Sequence, residues 1–581
     1  MSRCVGAFDC LSRLMAFRSP LLVLLILLGV SQPSEASRKL SGLSFASGSG
    51  IDIKITNFYD DLPPAGFLPL RVEVQNDSAG AREWTLQSIH SLGDSRSAIS
   101  TTKLAVPARE RRTFDLLVPL ASPITNSSRY SNLTVAVSGF GVTSGAASEY
   151  SSGGGRTPTP YLGMGKVLSV KHWAALRELY DSASSESLEG TPLDMGYMPT
   201  DWRALAGFDA IILDAGEWRS LEPAPRAALK DWISQGGTLT LFYEGDSAPP
   251  DLPKEGQLGA GSLRLTSLQE KFPEQARDLL KSFSGPTLGN LMNSYSWSWS
   301  LADQIGRPSP PHTLIIAFVL AFAVIIGPIN FLVFAPAGRR HRLFWTTPLI
   351  SLVASLLMGS AIVLSEGFGG TGGRFVVTLV RPEDKKMVRW QEQVSRTGVL
   401  ISDAFPLEQP TFLAPIDLRK QGTSTARSAR GSSFSLIGNT WSGNWFRSRA
   451  TQAQALTAIS ESRERLEVSK DATGTLTAES SFASPLLSLW VTDDVGGLWK
   501  TGRLETGEKK PLTKTSLQEF QAWFTQQLES AGPLTKTRAE AFGKNPQPGQ
   551  FFASWNRPAM TTLPSIRWSG ETGILMGTIL P

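Results

Sequence analysis

Residues 314–334 read LIIAFVLAFAVIIGPINFLVF and residues 343–364 read LFWTTPLISLVASLLMGSAIVL, with APAGRRHR between them at 335–342. Neither apolar run carries a formal charge, and at ~1.5 Å of rise per residue each is long enough to cross a hydrocarbon core of ~30 Å. The pair reads as a two-helix transmembrane hairpin. Its loop holds Arg339, Arg340 and Arg342 beside His341, and Lys/Arg in a short loop mark the cytoplasmic side. Both long flanks are therefore expected on the periplasmic or extracytoplasmic side.

The N-terminus repeats this signal. Arg3, Arg13 and Arg18 precede the ten-residue apolar run 21–30, and Ser34-Glu35-Ala36 supplies the small residues of a cleavage site. Residues 1–36 are read as a secretory signal peptide, with an uncleaved anchor as the alternative. The only two cysteines, Cys4 and Cys10, lie inside that segment. The exported chain is then expected to have no disulfide, no Cys-based metal site and no thiol nucleophile. The predicted location is the bacterial inner (cytoplasmic) membrane, crossed twice.

With 581 residues, 41% hydrophobic and 18% charged, the chain suits several globular cores, and a net charge of +5 without a long basic run argues against nucleic acid as a partner. Working outward from the hairpin, residues 45–147 alternate in the β manner. Ile51, Ile53 and Ile55 interleave with Asp52 and Lys54, and Leu70, Val72 and Val74 with Arg71 and Glu73. This predicts an exported β-sandwich, followed by a Ser/Gly/Pro-rich linker at 148–161.

From 162 to 300 the pattern changes to strands alternating with helices, as in a parallel α/β sheet. Residues 167–170 are predicted as a strand, with Trp173, Leu176, Leu179 and Tyr180 on a helix after it. Phe208-Asp209-Ala210-Ile211-Ile212-Leu213 is the next strand. A helix starts near Ser220 with Pro223 and Pro225 in its early turns, stops at Gly236-Gly237 and returns as a strand over 238–243. Pro273 opens a further short helix. Tyr295, Trp297 and Trp299 either meet lipid headgroups or complete the α/β core.

The Phe208–Leu213 passage and the Ala-Ala-Leu-Lys-Asp-Trp-Ile-Ser-Gln-Gly-Gly-Thr-Leu passage that ends at Leu239 resemble the class I glutamine amidotransferase-like fold in its noncatalytic form. The resemblance covers 162–285, about a fifth of the chain. Such domains occur in membrane-anchored envelope proteins, including auxiliary proteins of gliding-motility-type ABC transporters. Catalytic members use a Cys nucleophile with a His partner, and here no cysteine follows Cys10. The whole arrangement resembles two-pass bacterial envelope proteins.

Beyond the hairpin, residues 373–510 are predicted as a second, β-rich exported domain. Asp493-Asp494-Val495-Gly496-Gly497 forms one of its hairpin turns. An amphipathic helix is expected at 516–531, opened by a Ser516/Glu519 capping box, and the tail 533–581 packs back. The fold class is thus a multidomain membrane protein: β-sandwich, α/β amidotransferase-like domain, two-helix hairpin and C-terminal β-rich domain.

Few residues carry chemistry. Asp214, Glu217, Glu244 and Asp246 follow the ends of two α/β strands, where open sheets bind ligands. Four converging carboxylates would suit a hard cation such as Mg²⁺ or Ca²⁺, and capping or solvated residues are the alternative. His172 lacks a nucleophile beside it, so a helix-start role is preferred over a general base. Arg447-Ser448-Arg449 beside Trp445-Phe446, with Arg463-Glu464-Arg465, reads as ordinary strand-face residues, with charge and stacking for an acidic envelope polymer as the alternative. No P-loop or His-Glu-x-x-His sequence occurs.

Within the hairpin, Thr347, Ser351, Ser355 and Gly359 recur every four residues, as do Ala317 and Ala321, which predicts close helix packing or a face for a partner helix. Gly327-Pro328 is expected to loosen the first helix, with Asn330 satisfying freed backbone groups.

The resulting expectation is a non-enzymatic envelope protein without cofactor. It acts as a scaffold or interaction subunit with the lipid bilayer and other envelope or membrane proteins as partners. The alternatives are a metal-dependent or acid/base hydrolase using the four carboxylates, and an accessory subunit of an ABC-type exporter.

Overall fold

The computed structural model describes residues 38–579 except 41, 60–61, 64, 93–95, 122–130, 152–160, 184–187, 246, 269–271, 282–287, 306–311, 408, 419–431, 471–473 and 557–558. The signal-peptide reading and most of the 148–161 linker therefore lie outside the described residues. The rest forms a β-rich, multidomain assembly of mixed sheets with two apolar helices.

Ile51–Asn57 and Phe67–Asn76 pair antiparallel, with every second side chain of the former buried, as the alternation dictates. They belong to a four-stranded sheet that also holds Arg38–Leu40 and Glu110–Pro119. The facing sheet, built on Arg82–Leu92, Arg96–Val106 and Ser131–Gly139, does not stop at the predicted boundary. Val142–Ser151 extends it on one side, and on the other Ser432–Ile437 runs parallel to Arg96–Val106, followed by Thr440–Gly443 and Phe405–Pro406. Three strands from after the apolar helices thus complete a sheet that begins before them. A buried ion pair between Arg96 and Asp417 ties the same two regions.

The α/β layer has six strands in the order Glu189–Leu193, Tyr161–Gly165, Ala210–Asp214, Thr238–Tyr243, Gly261–Ser267, Gly256–Leu258. The first five are parallel and the last is an antiparallel edge. Residues 167–170 are not the strand their apolar character predicts. The strand is Tyr161–Gly165, and Lys166–Ala183 is a helix that buries Leu168 and Leu176 while Val167 and Val170 are exposed. The deciding contact is nonlocal: Glu217 accepts a hydrogen bond from Val167 N at 2.8 Å and satisfies the start of that helix.

The largest sheet has nine strands. Its order is Thr411–Ile416, Thr451–Glu461, Lys386–Thr397, Gly370–Arg381, Ile566–Thr578, Gln550–Trp555, Leu486–Thr492, Leu498–Thr501, Thr513–Thr515. The predicted tail is therefore structural. Ile566–Thr578 is the middle strand, parallel to Gly370–Arg381, so the pairing crosses the boundary expected at 510. Leu517–Gln527 is the expected amphipathic helix. Ser516 accepts from Glu519 N at 3.2 Å, but the Glu519 carboxylate turns to Lys500 and Thr515 instead of closing the box. Phe520 and Phe524 of this helix pack on Trp490 and Phe552 of the sheet. One apolar core runs from Ile53 through Ile211 to Trp390 and Phe552.

Tyr295 and Trp299 are buried in that core, which decides between the two roles open to these aromatics: they complete the fold. The apolar helices are the exception to burial. Ile315–Phe334 and Arg340–Ala361 are long and apolar enough to cross a membrane, and almost none of their side chains is buried. After His312–Val324 the first helix continues through Ile325–Phe334 with π winding, where Pro328 lacks an N–H to donate, and Ala335 N closes it on Asn330 O at 2.9 Å. Asn330 does not turn its side chain to the freed backbone. It is buried and donates to Thr347 of the second helix at 3.0 Å.

The small-residue stripe behaves differently from its spacing. Thr347 and Ser351 are half-buried toward the first helix, whereas Ala317, Ala321, Ser355 and Gly359 are exposed. The inward face of the second helix continues through Ala354 and Met358, because a 3.6-residue period drifts off a strict four-residue repeat. Arg339, Arg340 and Arg342 are exposed in the connecting loop, with Arg340 over the Phe331 ring at 5.1 Å.

Candidate functional site

The acidic residues at the strand ends are already engaged. Asp214 and Glu217 form a capping box at the start of Ala215–Ser220: Asp214 Oδ1 accepts from Gly216 N at 2.7 Å and Glu217 Oε2 accepts from Asp214 N at 3.0 Å. The other Glu217 oxygen holds Val167 N, so one buried carboxylate starts two helices, and burial raises its pKa. A Cβ on Gly165 would lie 1.8 Å from Glu217 Oε2, which explains a glycine at the end of that strand. Glu244 is exposed and Asp246 lies outside the described residues. Among the described residues no three His, Cys, Asp or Glu side chains gather as metal ligands would.

His172 packs its ring on Phe272, with centroids 4.7 Å apart, and partial burial lowers its pKa. Trp445 and Phe446 are buried, Trp445 between Phe434 and Trp441, so these aromatics are not available to stack on a polymer. Arg465 pairs with Glu467 at 2.6 Å.

The structure instead places a cavity of about 530 Å³ where the α/β layer, the nine-stranded sheet and the Pro533–Gly543 helix meet. It opens at the amino ends of the parallel strands, opposite to the carboxyl ends where the sequence pointed. Asp209, Gln235 and Ser262 come from the α/β layer, Trp390 and Thr457 from the large sheet, and Thr537 and Arg538 from the helix.

Asp209 accepts from Tyr161 N at 2.9 Å and Leu288 N at 3.0 Å, yet burial pushes its pKa up to about 6. Burial also lowers Arg538 to about 10, partly offset by attraction to Asp209. The Arg538 guanidinium lies against Gly236, whose φ is +116° and whose hypothetical Cβ would be 1.9 Å from Nη1. Arg538 Nε and Gln235 Nε2 are buried donors without a protein acceptor. Two unanswered donors, one of them on the arginine itself, make a wall suited to acceptor oxygens, supplied by water or an anionic group.

Asp209 sits within the Phe-Asp-Ala-Ile-Ile-Leu passage, but nothing local marks it as a cavity residue. Arg538 lies on a helix remote in sequence, and only the tertiary fold joins them.

No family model matches the chain, and no curated protein does. Among solved structures, the yeast δ-COP-I μ-homology domain complexed with a Dsl1 WxWxV peptide is similar at 9% identity, covering 36% of this chain and 96% of that one, with a TM-score of 0.17. A Bacteroides uniformis β-glucuronidase is similar at 13% identity over 36% and 25%, with a TM-score of 0.15. The Amycolatopsis orientalis exo-chitosanase CsxA is similar at 12% identity over 91% and 79%, with a TM-score of 0.14. At such scores none of them bears on fold or activity.

Proposed function

We propose that this chain is a two-pass protein of the bacterial inner membrane whose apolar helices anchor a single extracytoplasmic body, and that this body is a noncatalytic scaffold or interaction subunit of a cell-envelope complex. The observation that carries the reading is the parallel pairing of Ser432–Ile437 with Arg96–Val106. Strands from before and after the helices share a sheet, so both flanks must lie on one side of any membrane the helices cross. The arginine-bearing loop then lies on the other, which agrees with Lys/Arg retention in the cytoplasm.

The α/β layer is proposed as a noncatalytic glutamine amidotransferase-like layer; its five consecutive parallel strands support this, and no cysteine follows Cys10 in the sequence. The interaction role rests on the bare small residues Ala317, Ala321, Ser355 and Gly359, which the hairpin itself leaves uncovered. The test is crosslinking in native membranes followed by mild-detergent extraction. A discrete complex larger than the chain supports the proposal. A lone monomer with no crosslinked partner overturns the scaffold role.

A further inference from the structure

The register of the nine-stranded sheet fixes which of its ends meets the membrane. The Leu343–Glu366 helix passes through Gly367-Phe368-Gly369 directly into Gly370–Arg381. On the entry side, the Ser300–Ile305 helix packs Leu301 against Gly373, near the start of the same strand. Both ends of the apolar pair therefore emerge at one end of this sheet.

That end is chemically distinct. Thr371 is flanked by Arg396 on one side and Arg567 on the other, and Arg396 is in turn paired with Thr451. The turn leading into Thr451 carries exposed Arg447 and Arg449. Beside this basic rim stand two exposed apolar side chains, Phe368 at 64% exposure and Ile401 at 91%. Phe368 sits in a hydrogen-bonded knot, and Ile401 follows it two residues after Val399: Val399 N donates to Gly367 O at 2.9 Å, Gly398 N to Gly369 O at 2.7 Å, and Arg449 N to Gly398 O at 2.8 Å. Of the acids at this end, Asp403 is half-buried and accepts from Gly443 N at 3.0 Å, Asp303 is exposed on the Ser300–Ile305 helix, and Glu366 is the last residue of the apolar helix.

Exposed apolar side chains at an arginine-bearing end of the sheet, with Phe368 two residues past the end of an apolar helix, match the interface of an anionic bilayer. We infer that this end of the sheet is a membrane-docking foot: Phe368 and Ile401 enter the headgroup region, and Arg396, Arg447, Arg449 and Arg567 face anionic phospholipid. The foot would hold the body upright over its anchor instead of leaving it tethered by the Gly367–Gly370 segment alone. The inference rests on the proposed anchoring by the two helices.

The structure supplies its own control. Val495 is also 91% exposed, but it sits in the turn after Thr492, at the end of the sheet that pairs near Gln550 and Thr578. From Gly370 to Arg381 the central strands climb roughly 36 Å at ~3.3 Å per residue. Full-length protein with Cys4→Ser and Cys10→Ser would carry a single environment-sensitive fluorophore at Ile401→Cys, Val495→Cys or Leu352→Cys. It would be placed in nanodiscs of phosphatidylcholine with or without phosphatidylglycerol, containing nitroxide-labelled lipid.

The expected result is quenching at 401 by headgroup-level nitroxide several-fold above that at 495, with 352 quenched by chain-buried nitroxide. Removing phosphatidylglycerol, or changing the four arginines to glutamine, should lower quenching at 401 and leave 352 unchanged. If 352 lies in lipid while 401 is as unquenched as 495, the foot is overturned and the anchor stands. If 401 is quenched equally with and without phosphatidylglycerol, the anionic selectivity is overturned. If 352 is itself in water, the anchor fails and the foot with it.

Discussion

Tyr295, from the stretch before the apolar helices, donates its phenolic hydrogen bond to the buried carboxylate of Glu392, from the stretch after them. The same carboxylate accepts from Thr535 Oγ1, from Gly532 N at 2.6 Å and from Leu534 N at 3.0 Å, at the start of Pro533–Gly543. Three remote segments are thus joined through one side chain, and the charge is answered by the amino end of a helix. Burial still raises the pKa of Glu392 and holds Tyr295 well above its usual value. Glu392→Ala leaves several buried donors unanswered and is expected to cost about 3–5 kcal/mol, against about 1–2 kcal/mol for Tyr295→Phe. Urea unfolding in detergent, followed by tryptophan fluorescence, would measure both. Equal costs would mean that Glu392 depends on the tyrosine alone.

Ile566–Thr578 lies between Gly370–Arg381 and Gln550–Trp555 at the centre of the nine-stranded sheet. A chain ending at residue 560 would lose that strand and leave two rows of backbone groups unpaired in a buried sheet. The expected outcome is loss of the folded body, read as proteolysis of the nine-stranded region and of the sandwich strands pairing with 432–437. A truncated protein with an intact protease-resistant body would show the tail to be dispensable.

These two cases show what the sequence could and could not reveal. The alternation of Ile51, Ile53 and Ile55, the Gly236-Gly237 stop and the two uncharged runs are local signals, and the structure follows each of them. Residues 167–170 carry β-like side chains, yet they begin a helix because Glu217, fifty positions later, caps Val167. The spacing of Asp214 and Glu217 fits a capping box as well as a ligand pair, so position alone could not choose between them. Arg538 and Asp209 come together only because the last strands return to the middle of the large sheet. That pairing depends on register between distant segments, which no local pattern encodes.

His90 is fully buried, its Nδ1 accepts from Ala121 N at 2.8 Å, and burial lowers its pKa to about 4. A depressed histidine is neutral in the fold but takes up a proton in the unfolded chain below about pH 6.5. Its contribution is therefore present above pH 6.5 and is lost as the pH falls toward 4. Between pH 7 and 5 this amounts to about 2 kcal/mol at ~1.4 kcal/mol per pH unit. His90→Asn should start less stable at pH 7 and show a flatter decline. Parallel curves would remove His90 as the source of acid sensitivity.

Asp209 has the opposite sign. Its folded pKa of about 6 lies above the ordinary carboxylate value, so the folded state keeps a proton that the unfolded chain has released. Its stabilising effect is full below about pH 4 and fades as the pH rises through 6. Asp209→Asn should remove that slope, seen as the wild-type melting temperature falling relative to that of the variant as the pH rises from about 4 through 6. Gly236→Ala tests the cavity wall itself. A side chain there meets Arg538 and would have to adopt the native φ of +116°, which L residues disfavour, so a loss of at least about 2 kcal/mol is expected.

Glu217 separates a capping role from a metal-binding one. It answers the first amides of Lys166–Ala183 and, through Asp214, of Ala215–Ser220. Glu217→Ala orphans both Val167 N and Asp214 N, and is expected to cost about 2–4 kcal/mol. Glu217→Gln keeps one good acceptor and should fall between. Because the carboxylate oxygens are spent on backbone amides, EDTA or millimolar Mg²⁺ or Ca²⁺ should leave the wild-type melting temperature unchanged at matched ionic strength. A rise with either cation in the wild type that disappears in both variants would instead make Glu217 a ligand, and the caps an arrangement that the ion displaces.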